Sequence, residues 1–173
     1  MVSQDHYGRT LAHVFSGARP AGAAREGSAA CHLLRSGLAW RVTVPPNLRY
    51  QQDYHLAEQQ ARAKGAGVWS SQRQAQPWAS AAGRGFRLLR ATITDTEFSR
   101  DWWLKTTDDF IVRIAAEDQQ YFDGAWLSAL VAVEVEIRGW MYRRGGTPWG
   151  GRDGKAWVLG LKHPDSIRLL GQG

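Results

Sequence analysis

Near the start of this chain Asp5, Tyr7, Gly8 and Arg9 stand almost side by side, in the run Asp5-His6-Tyr7-Gly8-Arg9-Thr10. Arginine carries a fixed fork of N–H donors that matches a phosphate, and cleavage of a phosphodiester requires positive charge on its pentavalent transition state. Gly8 reads as a tight turn. Beyond it, Leu11, His13 and Phe15 alternate with Ala12 and Val14, which predicts a strand over 11–15. Two readings of Arg9 fit equally: a phosphate contact, or a solvated charge at a strand end with Tyr7 packed beside it.

A second constellation lies far downstream. Between 138 and 155 the chain carries Arg138, Arg143, Arg144, Arg152 and Lys155 against Asp153 alone, interleaved with Trp140, Tyr142 and Trp149. Stacking aromatics set among arginines are what a single nucleic-acid strand is gripped by. Trp102 and Trp103 are further candidates for that role. The plainer reading puts one of that pair in a core by alternation, Trp126 and Trp157 in the core as well, and the loop charges in solvent.

Metal chemistry has little to draw on. Before residue 85 the acidic residues are Asp5, Glu26, Asp53 and Glu58. Asp5 belongs to the turn, Glu26 to a low-complexity stretch, Asp53 to a helix start where it would serve the first turn, and Glu58 to a helix away from any site. No pair has ligand spacing. His6, His13, His32, His55 and His163 show no metal-like or catalytic spacing either, and His163 before Pro164 reads as ordering a turn. The single cysteine, Cys31, excludes an internal disulfide and reads as a small helix residue.

Charge divides the chain. Residues 1–84 hold 10 Lys+Arg and 4 Asp+Glu, residues 85–173 hold 12 of each, so the whole net charge of +6 sits in the first half. A basic segment attracts phosphate through counterion release. No apolar run reaches the length of a membrane span, and Met1 is not followed by a signal-peptide core; taken as written, the chain is expected in the cytoplasm with no membrane partner.

The elements that must position these residues follow from periodicity. Residues 16–28 are low in complexity and read as a flexible loop. A helix is expected from Ala29 to Ser36 with Gly37 as its C-cap. Leu38–Val44 reads as an extended exit stopped by Pro45-Pro46. A second helix is expected over 52–65, followed by Val68-Trp69 as a buried plug. Residues 71–84 read as a linker between a first domain, 1–70, and a second, 85–173. In the second, strands are expected over Phe86–Thr96, Trp102–Lys105 and Phe110–Ile114. A helix then spans Ala116–Leu130 with Tyr121, Phe122, Ala125, Trp126, Ala129 and Leu130 on one face. Strands over Val131–Tyr142 and Ala156–Leu161 and a short tail helix at His163-Pro164 complete it. On the clean alternation, Val133, Val135 and Ile137 face inward while Glu134, Glu136 and Arg138 face out. Three strands, a helix and two strands is the order of an OB-fold, a small five-stranded barrel.

The Tyr-Gly-Arg turn, then Leu33-Leu34-Arg35-Ser36-Gly37-Leu38-Ala39-Trp40, Ala57-Glu58-Gln59-Gln60-Ala61-Arg62 and Gly67-Val68-Trp69, in that order and spacing, resembles the second half of the staphylococcal nuclease (thermonuclease-like) family. The resemblance covers residues 3–70. It implies a partial nuclease-like, OB-type unit with helices, which with the OB-like barrel read from the element order makes an α+β, mainly β chain. It also implies an ancestral activity of metal-dependent hydrolysis of DNA or RNA phosphodiesters, with Arg9 in the catalytic arginine's place and Tyr7 helping to hold the nucleotide. The family's cofactor is Ca2+, held by carboxylates on strands before this turn, and its members are often exported. Two departures stand out. The four acidic residues do not supply that centre, so a calcium-dependent endonuclease would be impaired here. Where the family has tyrosines after the helix exit, this chain reads Thr43-Val44-Pro45-Pro46. The alternative is a non-catalytic module that binds single-stranded DNA or RNA, or a protein, through Trp140, Tyr142 and the surrounding arginines. An open sheet edge in the first domain would invite a second copy to cover it.

Overall fold

A computed structural model describes residues 4–5, 7–17, 27–70, 75–77, 83–143 and 155–171. The chain divides into two compact units, Met1–Gln74 and Ala75–Gly173. Among the described residues no helix is long and apolar enough to cross a membrane.

The first unit is built on two helices, α1 (Ala29–Arg35) and α2 (Gln51–Ala63). Helix α1 starts where Ser28 accepts a hydrogen bond from the Cys31 N–H, satisfying one of the orphan donors of the first turn. It stops at Gly37, whose φ is 68°. There the Leu38 N–H reaches the Leu33 carbonyl and the Gly37 N–H the Leu34 carbonyl, the paired bonds of a Schellman closure. Gly37 is needed twice over, because a side chain there would also run into the backbone of Ala66 and Gly67. That close approach lets the Val68 N–H donate to the Gly37 carbonyl, which seats the 3-10 turn Gly67–Trp69 and buries Trp69. The core is small: Cys31, Leu34 and Ala57, with Phe15, Ala39, Tyr50 and Tyr54 packed around them.

One expectation for this unit changes. Residues 11–14 form no strand; the segment makes only isolated bridges, Gln4 with Thr10 and Phe15 with Ser28. Alternation makes a segment ready for a ladder but does not supply the neighbour that completes one. The exit over 38–44 joins no sheet, with Arg41 and Thr43 buried and Leu38, Trp40, Val42 and Val44 exposed. Of the loop expected over 16–28, residues 18–26 lie outside the described set. Its ends are tied, since the Ser16 N–H donates to the Gly27 carbonyl.

The second unit is a closed barrel. Its strands are β1 (Gln76–Pro77), β2 (Gly85–Phe98), β3 (Trp102–Thr106), β4 (Phe110–Ile114), β5 (Glu134–Arg143), β6 (Trp157–Gly160) and β7 (Ile167–Leu169). Their order is β1-β2-β3-β4-β6-β5-β7, and a further β2–β5 pairing closes five of them into a ring. The long β2 makes closure possible: residues 85–92 pair with β5, residues 93–98 with β3, and a register irregularity between Ile93 and Asp95 marks the bend. Strands β4 and β6 run parallel, the other barrel pairs antiparallel. This is the five-stranded OB topology, with the connecting helical segment between β4 and β5.

Alternation fills the interior. Leu89, Ala91, Ile93, Leu104, Phe110, Val112, Ile114, Val135, Ile137, Met141 and Leu159 form one core with Leu127 and Leu130. Trp126 and Trp157 pack against it, as does Trp102, while Trp103 joins a separate cluster with Ile111 and Val158. The helix expected over 116–130 is broken. A 3-10 segment, Ala116–Tyr121, gives way at Phe122-Asp123, and a short helix, α3 (Gly124–Ser128), restarts with the Asp123 carboxylate accepting from the Trp126 N–H. The restart rotates the buried face, so Leu127 is fully buried while Ala125 and Ala129 are exposed. The expected tail helix is a single 3-10 turn, Pro164–Ser166, in which the His163 ring accepts from the Asp165 N–H.

Candidate nucleic-acid interface

In the first unit the turn is organised by Asp5. Its Oδ1 accepts from the Tyr7 and Arg9 backbone N–H groups, each at 2.9 Å, and its Oδ2 accepts from Arg9 Nε at 2.7 Å. Gly8, at φ 77°, lets the chain reverse between them. What removal from water Asp5 suffers raises its pKa, but the bonds from Arg9 and Tyr7 outweigh this and hold the carboxyl below its usual value. The Arg9 side chain is 73% exposed and its guanidinium carbon lies 5.1 Å from the Tyr7 ring centroid. Tyr7 is exposed as well. The turn therefore presents a held cation and an aromatic ring to solvent.

The described acidic residues of the first unit do not form a calcium centre. Calcium takes six to eight oxygens around one cavity, and both Asp5 oxygens are already engaged by Tyr7 and Arg9. Glu58 is buried: one oxygen accepts from the Arg41 backbone N–H at 3.0 Å, the other faces the Arg41 and Arg62 guanidinium groups at 3.9 and 3.8 Å. Asp53 lies in the first turn of α2, and Glu26 falls outside the described residues. Among the described residues no three His, Cys, Asp or Glu side chains gather as metal ligands.

In the second unit the aromatic and basic candidates part company. On β5, Trp140, Tyr142 and Arg143 are exposed. Arg138 and Glu136 are on that strand's outer side by alternation, yet both are buried and paired at 3.3 Å, with Arg168 of β7 adding a second cation on Glu136 at 3.1 Å. Arg138 thus serves an ion-pair cluster. Lys155 turns toward the β3–β4 hairpin and donates to the Thr106 carbonyl. Arg144, Trp149, Arg152 and Asp153 lie outside the described residues.

Beside Trp140 and Tyr142 the structure forms a groove of about 230 Å3. Its floor is set by register, because Gly160 of β6 pairs with Trp140 of β5 on one side and with Arg113 of β4 on the other. Arg113 is fixed in place. Its Nε donates to Asp101 at 2.7 Å, and its guanidinium lies 5.8 Å from the Trp103 ring centroid. Desolvation pulls the Arg113 pKa down, but hydrogen bonds to Asp101 and Tyr142 raise it overall. At the far end Lys162 Nζ stands 3.6 Å from Asp118, with Glu117 beside it. Burial pushes the Asp118 carboxyl above its usual range against the pull of Lys162.

Sequence reasoning found Trp140 and Tyr142 but not Arg113, Gly160 or Lys162. The missing signal is the parallel β4–β6 pairing, which brings residues of distant segments together and leaves no local pattern.

Residues 1–71 match a protein-family model described as Staphylococcal nuclease homologue. The barrel lies outside that match. No curated protein matches the chain.

Proposed function

We propose, because residues 1–71 match the staphylococcal nuclease homologue model, that this chain is a nucleic-acid-binding relative of those nucleases, impaired in hydrolysis. Arg9 contacts a phosphate and Tyr7 the adjoining nucleotide, while Trp140, Tyr142 and Arg143 engage single-stranded DNA or RNA on the barrel. The observation that carries this reading is the Asp5 turn: it holds Arg9 out toward solvent while occupying both oxygens of the acid nearest to it. A guanidinium so placed grips phosphate, but positioning an attacking water requires acidic groups gathered about a cation. The basic first half supplies the long-range attraction.

The test is an assay of the purified chain with calcium and end-labelled single-stranded DNA. Binding that weakens steeply with salt, without cleavage, is the expected result. Arg9→Ala should reduce the slope of log affinity against log salt by about 1, the signature of one lost phosphate contact. Robust cleavage abolished by Arg9→Ala would overturn the impairment. Capture of partners insensitive to salt would point instead to a protein-binding module.

A further inference from the structure

We infer that a single strand lies on the outer face of the barrel where β2 begins and β5 ends, with Phe86 positioning Trp140 for stacking and Arg84 and Arg87 joining Arg143 on the phosphates. This rests on the reading of the barrel as a single-strand binder and deepens it by placing the strand.

The face that OB barrels commonly use is closed in this one. It belongs to the second and third barrel strands, which are β3 and β4 here. Their outward Trp103 and Ile111 are buried in a cluster with Val158. Their outward cations are paired, Lys105 with Asp95 at 3.0 Å and Glu97 at 3.8 Å, and Arg113 with Asp101 at 2.7 Å. A polyanion meets neither an open ring nor an uncompensated charge among these residues.

The β2–β5 face differs in both respects. Phe86 stands opposite Trp140 and Gly85 opposite Met141; Arg84 is one residue past that last pair and Arg143 two. Residues 59–94 and 137–152 contain no Asp or Glu, and the two stretches cross at this register. Arg84 and Arg143 are exposed. Arg87 is held at the same end. Its Nη1 donates to the Phe86 carbonyl at 2.9 Å, and its Nη2 takes the space that a side chain at Gly83 would need. Guanidinium groups gathered without a carboxylate in either stretch attract phosphate.

Trp140 supplies the ring. It is 47% exposed, and Phe86 meets it edge to face, the centroids 5.1 Å apart and the planes at 74°. A cross-strand aromatic pair of this kind fixes the indole before a base arrives. Tyr142, also exposed, is on the same side of β5 by alternation. The rise of a strand sets the two positions about 6.8 Å apart, twice the roughly 3.4 Å step of stacked bases. Neighbouring bases must unstack to meet both rings, which a single strand can do and a duplex cannot.

The full chain is titrated against salt with oligo-dT, an abasic oligomer and a duplex of the same length. Phe86→Leu should weaken oligo-dT binding about fivefold, the worth of the lost edge-to-face contact. It should leave the abasic strand, the duplex and the salt slope unchanged, and Phe86→Tyr should restore oligo-dT. Arg84→Ala and Arg87→Ala should each weaken oligo-dT and the abasic strand alike and lower the salt slope by about 0.7. Arg100→Ala, exposed in the β2–β3 hairpin at the other end of β2, should change nothing. Circular dichroism melts check folding, and the exposed Arg84→Ala keeps the test open if Phe86→Leu unfolds. Unchanged oligo-dT affinity in Phe86→Leu and Arg84→Ala overturns the placement and leaves the single-strand reading standing, as does a loss confined to Arg100→Ala. A Phe86→Leu loss shared equally by the abasic strand overturns the positioning role. Wild type that binds no strand overturns both the placement and the reading beneath it.

Discussion

The two units reach stability by different routes. In the barrel, five strands close on one another and bury a continuous apolar interior in which Phe110, Leu104, Ile114, Val135 and Leu159 are fully inaccessible. Among its described residues the first unit buries few apolar side chains, Cys31, Leu34, Ala57, Ala61 and Trp69, and relies on polar fastenings. Ser28 caps α1, Glu58 gathers Arg41 and Arg62, the Arg62 guanidinium covers the Trp69 ring at 3.6 Å, and His13 hydrogen-bonds Tyr54 at 2.8 Å. Meanwhile Leu11, Val14, Leu38, Trp40, Val42 and Val44 stay exposed. A closed sheet hides its apolar face by geometry alone. A unit whose extended segments join no ladder must hold them by side-chain contacts to helices.

The comparison is broken most directly by removing a large core side chain. Phe110→Ala in β4 should cost the barrel about 3–5 kcal/mol, the transfer of the ring plus the cavity it leaves. Urea unfolding followed by tryptophan fluorescence measures it. A loss under about 1 kcal/mol would mean that the interior collapses onto the gap and that the core is looser than its burial implies.

The barrel was also the legible half, for the same reason. Strands such as Phe110–Ile114 and Val135–Ile137 carry their own alternation, and closure places them where alternation says they belong. Three failures are instructive. Glu136 and Arg138 alternate outward, yet both are buried, because the opposite charge beside each removes the need for water. The Asp123-Gly124 step restarts a helix that periodicity alone carried through, since an aspartate cap competes locally with continuation. Leu11–Phe15 has the pattern of a strand but no ladder, because pairing depends on a neighbour and not on the segment. For the site, the Asp5 turn was local and could be read; the Gly160 groove depends on non-local register and could not.

Glu58 offers the matching test in the first unit. Removing it by Glu58→Ala strips the acceptor from the Arg41 backbone N–H and leaves a buried guanidinium without its carboxylate. Breaking a buried pair from one side costs about 3 kcal/mol or more. Hydrogen exchange of the α2 amides should rise accordingly. Unaltered protection would show that Arg41 finds solvent once its partner goes, and that the polar fastening is weaker than the barrel's apolar core.

The smallest expected effect concerns a charge in the barrel rather than its core. Asp118 is buried beside Lys162, and the desolvation of its carboxylate raises its pKa in the folded state above the ordinary value of 3.8. Below both values the group is protonated whether the chain is folded or not, so it contributes nothing. As pH climbs from 3.8 to the raised value, the folded state keeps a proton that the unfolded chain has released. Stability therefore falls across that window and the cost stays constant above it. Asp95 behaves in the opposite sense: the hydrogen bond and charge of Lys105 hold its pKa down, so its contribution is lost as pH falls through the lowered value. Asp118→Asn removes the first slope and leaves the second. Measured by urea midpoint against pH, the variant should gain on wild type as pH rises from 3.8 through the weakly acidic range and then run parallel to it. An Asn variant that instead loses ground to wild type as pH rises toward 3.8 would show that the Lys162 attraction, not burial, governs this carboxylate.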